Sequence, residues 1–402
     1  MTAHGATAEL LALLLPGPDE TALLEACLHT GARAVHAWER WRARPGASSA
    51  TVCRDLARTR TLLPLLARSA AGNGLALGPE ALAYVRAAAL REEVRSVRVR
   101  RLAAQALAAL AAAGTTAYAA RGVALAATVY ESWSLRHCHD VDILVPAAEQ
   151  ERAVRALAGA GFHGGPRRST ADGGARLVHG SGLALAAHTR VFAVPYYEVP
   201  LDAFVRSARA VDLDGTPARV PAPEALLVHV LGHATYSASR ANLRWVADAW
   251  HVVAAHPDLD WSDVVARVAA SRLAVPVATV VGYLAMLGVS IPDSVAASLR
   301  ELAARSDRAA QDVALGGVHA AIASDTARMW RASISWRGRL RLIRWAVAPS
   351  RAYMRSAFAA AHAWSCPIYY VYRPLRFLAR HLTGRPGPWR RARASTDSAA
   401  AA

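Results

Sequence analysis

Apolar residues recur every three or four positions through Ala8–Leu15, Leu23–Trp41, Val52–Ala71 and Pro79–Ala112, the period that lays one face of an α-helix on a core. Gly17-Pro18, Pro45-Gly46 and Gly72-Asn73-Gly74 punctuate the run, so residues 1–113 read as a helical lead-in. After Gly114 the period changes. Thr115–Ala120 and Val141–Pro146 suit strands, Val123–Tyr130 and Ala147–Ala160 suit helices, and Gly161 supplies a helix stop. Ala175–His179, Leu183–His188, Ala210–Leu213 and Pro217–Val220 are further strand candidates, several bounded by glycine-containing turns. This order predicts a small mixed sheet over residues 114–220. The helical period returns in Pro223–Tyr236, Leu243–Ala255, Trp261–Ala270, Val275–Leu287, Ser294–Ala304 and Arg308–Ala323, predicting a helical domain over 221–330. Residues 331–402 read as a basic, aromatic-rich helical extension, amphipathic from Trp336 to Leu382, with a disordered end. The expected fold class is α+β, mostly helical: a small mixed-sheet core flanked by helical regions on both sides.

Composition adds a charge asymmetry. The 402 residues carry a formal charge of +17, and every one of the 47 basic residues is Arg. Residues 331–402 hold fourteen Arg against a single acid, Asp397, a local +13 that leaves only +4 for the rest. Such a stretch can meet phosphates, anionic lipid or nucleic acid, or be a solvated surface. Cys27, Cys53, Cys138 and Cys366 lie far apart without a CxxC, and the Met1 end shows no secretory leader, so a reducing, cytoplasmic setting is expected. The charge-free stretch Leu273–Pro292 has the length of a membrane span. Pro276 and several small residues, among amphipathic helices, favour a buried core helix instead.

The chemistry concentrates at Asp140 and Asp142, just ahead of Ile143–Val145. Alternate residues of a strand share a face, so the two carboxylates project together at a sheet edge. Held close, each raises the other's pKa unless a cation intervenes. Mg²⁺ or Mn²⁺ favours hard oxygen ligands and can link such carboxylates to nucleotide phosphates during in-line displacement. A plainer arrangement also fits, with one Asp capping a turn and the other pairing with Arg136 at the surface.

The neighbouring residues resemble the uncharacterised nucleotidyltransferase family of the polymerase-beta-like superfamily. Arg121-Gly122 stands where members carry Lys-Gly, Tyr130 closes the next helix, and Arg136 precedes Asp140, Asp142 and Ile143–Val145. Pro223–His233 and Leu243–Ala249 resemble the family's helical motifs, and Trp261 and the 373–376 run fit as well. The resemblance implies a minimal nucleotidyltransferase core over 114–192. Asp140 and Asp142 are then its catalytic, metal-binding carboxylates, and Arg121, Gly122, Arg136 and His188 its nucleotide-binding residues. Mg²⁺ or Mn²⁺ is the implied cofactor, a nucleoside triphosphate the substrate, and a small molecule, peptide or protein the acceptor. A departure stands at Ala186-Ala187-His188, where members carry Asp-Leu-His: Ala186 replaces the third acid unless Glu198 or Asp202 fills its place. Two other readings stay open: a catalytically impaired nucleotide- or partner-binding descendant, and a basic membrane or nucleic-acid adaptor acting through 331–402.

Weaker signals complete the inventory. His229 and His233 share a helix face and suit either a metal or core packing, the latter favoured. His137-Cys138-His139, if extended, puts its two imidazoles together and Cys138 beside neither. Arg240, Arg244 and Asp248 allow an i,i+4 ion pair. Trp336, Trp345, Tyr353, Trp364, Tyr369, Tyr370 and Tyr372 interleave with Arg, as in membrane-interface helices, nucleic-acid platforms or packed helices with snorkelling Arg.

Overall fold

A computed structural model describes residues 3–44, 60–164, 173–194, 196–236, 243–321, 330–358, 367–373 and 375. Arg240, Cys53, Trp364, Cys366, the start of the Val52–Ala71 stretch and the chain end lie outside these residues. Helices α1 (Ala3–Ala12), α2 (Pro18–Leu28), α3 (Gly31–Arg42), α4 (Leu63–Asn73) and the long α5 (Pro79–Ala112) precede the sheet. The single repeat expected over Leu23–Trp41 divides in two. His29 and Thr30 are extended and Gly31 takes φ +61°, a left-handed conformation that suits glycine and turns the chain.

The five-stranded sheet has the order β1-β2-β5-β4-β3, built from β1 (Tyr118–Ala119), β2 (Asp140–Leu144), β3 (Phe162–Gly164), β4 (Ala175–His179) and β5 (Ala184–His188). Helices α6 (Arg121–Thr128) and α7 (Gln150–Gly159) lie between its first three strands in sequence. β2 runs parallel to β5 and antiparallel to β1, so it is an inner strand, which is why Val141 and Ile143 are fully buried. β1 is shorter than the expected Thr115–Ala120, and β3 and the short α8 (Leu201–Val205) were not anticipated, being too brief for a period to show. A separate hairpin joins β6 (Arg209–Leu213) to β7 (Thr216–Val220) through Asp214-Gly215, both at positive φ, the two-residue turn that matches strand twist.

Helices α9 (Pro223–Tyr236), α10 (Arg244–Ala255), α11 (Trp261–Ala270), α12 (Ala274–Leu287), α13 (Asp293–Arg305) and α14 (Arg308–Ala321) follow, then α15 (Trp336–Val347) and α16 (Arg351–Phe358). The fold class is α+β and mostly helical, as the pattern predicts. The charge-free stretch forms α12, stopped by Gly288 at φ +101°, and no helix among the described residues is long and apolar enough to cross a membrane. One large core joins α2 to α5, the sheet and α9 to α13. A second, smaller core brings Leu10 and Leu11 of α1, with Leu14 of the turn after it, against Leu315 of α14 and Leu342 and Trp345 of α15. Glu9 secures that junction by accepting hydrogen bonds from Ser333 Oγ (3.0 Å) and the Ser335 N–H (2.9 Å).

Candidate active site

β1 delivers the chain to α6 through Ala120, whose N–H donates to the Asp142 carbonyl (3.0 Å). The start of α6 is thereby fixed beside β2, with no side chain capping its first turn. The N–H groups and positive dipole end of this first turn favour an anion there. Arg121 opens the helix at φ +47°, an unusual conformation for a residue with a side chain. On β2, Asp140 and Asp142 alternate onto one side while Val141 and Ile143 fill the core on the other.

Asp142 is buried but not alone. Its Oδ1 accepts from Arg121 Nη1 (3.2 Å) and from His188 Nε2 (2.6 Å). Burial alone raises its pKa, yet Arg121 and His188 outweigh that and hold the carboxyl well below the usual carboxylate range. The expected third acid is absent at the position that matters most. Ala186 is the register partner of Asp142 across the parallel β2–β5 pair and is 1% exposed. Neither alternative acid fills the place: Glu198 is 70% exposed and faces Arg272 at 3.9 Å, and Asp202 is exposed in the first turn of α8.

Asp140 lies at the mouth of the strand, with His139 Nε2 3.3 Å from its Oδ1. The rings of His137 and His139 lie nearly parallel, 6.2 Å apart, as the extended spacing predicts, and Cys138 points the other way toward Gly122 and Arg136. His137 Nδ1 is 2.8 Å from the buried Glu92 Oε2 of α5, and the His137 carbonyl accepts from Arg244 Nη1 (2.7 Å).

Arg136 has a different partner from the Asp140–Asp142 pair. Its Nε and Nη2 each donate, at 2.9 Å, to one oxygen of Asp248 on α10, a bidentate ion pair buried on both sides. Tyr130 Oη donates to the same carboxylate (2.8 Å) and stacks on His251 at 4.1 Å. Burial disfavours the charge on Arg136, but Asp248 reverses this and raises its pKa. Gly122 sits beneath this network: a Cβ there meets Arg136 Nη1 at 2.6 Å and Cys138 Sγ at 3.1 Å. Asp248 therefore takes a partner 112 residues away rather than serving only the expected i,i+4 pair on its own helix.

His229 and His233 pack in the core, as the favoured reading holds. Their rings meet edge-on at 4.5 Å, each lies 5.3 Å from Phe192, and His229 Nε2 donates to the Val191 carbonyl (3.2 Å). Burial, then His233, holds His229 well below its ordinary pKa. Among the described residues no group of three or more His, Cys, Asp or Glu is placed to hold a metal. The donors at Asp140 and Asp142 are hard oxygens. Mg²⁺ commonly binds through one or two carboxylates with phosphate oxygens and water, so this pair suits a cation that arrives with a nucleotide rather than one caged by protein.

A model of a family described as uncharacterised nucleotidyltransferase matches residues 52–287, more than half of the chain. The chain belongs to this family. Neither the curated proteins nor the solved structures give a match. As a class, nucleotidyltransferases act on nucleoside triphosphates with a divalent metal, and the match covers both candidate carboxylates, Ala186 and Asp248. It ends at Leu287, so the nucleotidyltransferase region leaves α13 to α16 outside. The ion pair of Arg136 with Asp248 was the part sequence spacing missed. The only signal for it was that both residues fall in stretches resembling family motifs.

Proposed function

We propose that this nucleotidyltransferase moves a nucleoside monophosphate from a nucleoside triphosphate to a hydroxyl or phosphate of a small molecule, peptide or protein, releasing pyrophosphate. The observation that carries the reading is the pairing of Asp140 and Asp142 on one side of an inner strand, beside the uncapped start of α6. Asp140 and Asp142 would hold Mg²⁺ or Mn²⁺, which when bound offsets charge on the reacting phosphates. Arg121, which donates to Asp142, would with metal on that carboxylate be available to triphosphate oxygens, whose geometry its planar guanidinium suits. His188 keeps Asp142 oriented from the neighbouring strand and contacts phosphate. The first N–H groups of α6, the turn that holds Gly122, would receive phosphate. Arg136 acts one step back from the nucleotide, fixing the turn at Gly122 through Asp248.

Labelled triphosphates test this reading. Wild-type protein should release pyrophosphate, and Asp142→Asn or Asp140→Asn should lower the rate by at least about a hundredfold, the scale of losing a principal charge-stabilising group. Equal release from wild type and both variants rejects the site.

Ala186 favours a second reading, a nucleotide-binding protein with little turnover. Under it, wild type binds nucleotide without releasing pyrophosphate, and Ala186→Asp, which places a carboxylate in register with Asp142, gains activity. Robust wild-type turnover removes this reading.

A further inference from the structure

Helix α15 has two faces of opposite use. Gly338, Arg341, Leu342 and Trp345 are buried. On the other side Trp336 (62% exposed), Leu340, Ile343 and Val347 (76% exposed) stand at intervals of four, three and four, which lines them up in one apolar stripe facing solvent. Arg337 and Arg344 border the stripe on one side and Arg339 on the other, by the same helical spacing. A helical segment at 367–373 abuts the end of α15: Tyr370 Oη donates to the Pro349 carbonyl (2.6 Å) and Arg373 Nη1 to the carbonyls of Trp345 (3.1 Å) and Ala346 (2.6 Å). This segment too exposes its apolar residues along one line, Ile368, Val371 and Leu375.

We infer that this face docks on an anionic phospholipid bilayer. Charge selects the occupant. From residue 331 to 396 the sequence holds no acid, so a second copy of the same face sets arginine against arginine. Nucleic acid matches the charge but gives no burial to Leu340, Ile343, Val347 and Leu375, since it is gripped by phosphate contacts and aromatic stacking. A bilayer rich in anionic lipid takes both: the stripe enters the acyl boundary while the bordering guanidinium groups stay at the phosphates. The face belongs to helices beyond the family-matched region, so it is an addition to the nucleotidyltransferase core rather than part of its site.

Vesicle flotation of the full chain tests the inference, using phosphatidylcholine vesicles with and without phosphatidylglycerol, and a single-stranded RNA probe for comparison. Binding is expected on the phosphatidylglycerol vesicles, falling about fivefold for Arg344→Gln at low salt and weakening as salt is raised. Ile343→Ser and Val347→Ser should each weaken it by about tenfold, the scale of one buried aliphatic side chain. Both positions are exposed, so melting temperatures should match wild type, and two separate variants guard against a folding artefact at either. Absence of vesicle binding, equal binding to neutral vesicles, insensitivity to both serine variants, or retention by RNA alone overturns the assignment.

Discussion

Arg136 and Asp248 carry full charges into a region largely removed from water, and each chiefly offsets the other's burial. Arg136→Ala or Asp248→Ala should therefore destabilise the protein by about 3–5 kcal/mol, because each leaves an uncompensated buried charge. The double variant Arg136→Met/Asp248→Leu should cost less than either single change, and thermal or urea unfolding of the three proteins checks it. Gly122→Ala is a quieter disruption of the same network. The guanidinium it displaces is locked by two hydrogen bonds, so the clash is not relieved by a swing, and a loss of about 1–3 kcal/mol is expected in urea unfolding. At this scale the sequence was uneven. Asp140, Asp142 and the vacancy at Ala186 were legible because strand alternation and a motif place them, and the register of β2 on β5 sets Ala186 directly beside Asp142. The engagement of Asp142 by Arg121 and His188 depends on how three elements converge, which no local spacing encodes.

Among elements, β4 to β7 and the helices α5, α6 and α9 to α14 fall within a residue or two of the period that predicts them, since each buries one continuous face. The first helix does not: expected over Ala8–Leu15, it spans Ala3–Ala12. Other failures are where that rule has too little to work on. β3 spans three residues, and the break between α2 and α3 lies at two polar residues inside an otherwise continuous repeat. Helix α9 offers a test of packing against propensity at Gly232. Alanine there gains about 1 kcal/mol of helix propensity, but its Cβ meets the Phe192 ring at 2.7 Å and Leu273 Cδ1 at 3.1 Å. The ring is held on other sides by Tyr197, His229 and His233, so overpacking of about 1–3 kcal/mol should prevail. Gly232→Ala is expected to lower the urea midpoint; a rise shows that the ring yields freely.

For the molecule as a whole, histidines shielded from water are expected to weaken stability toward acid. Burial lowers the pKa of His29, His137, His229, His251 and His256. The unfolded chain takes up protons at these groups near pH 6.5 while the folded chain does not, so stability is full above about pH 6.5 and falls as pH drops below it. His229, the most deeply shifted, should account for about 1.4 kcal/mol per pH unit below that point, and urea midpoints at pH 7.5 and 5.5 measure the drop. Asp142 works in the opposite window. Its lowered pKa contributes stability above the unfolded value near 3.9 that is lost only as pH falls through the folded value, so its contacts persist where the histidines already weaken the fold.

The small core shared by α1 and α15 sets a schedule for the newborn polypeptide. Leu10 and Leu11 emerge from the ribosome early, yet Leu342 and Trp345 are translated more than three hundred residues afterwards. At about 5–20 residues per second, the leading helix waits on the order of 15–65 s for its last partner. A ribosome stalled before Trp336 leaves that oily side covered only by Val275 of α12 and by Ala310, Ala314 and Leu315 of α14, a handle for chaperones and for proteases that clear unfinished chains.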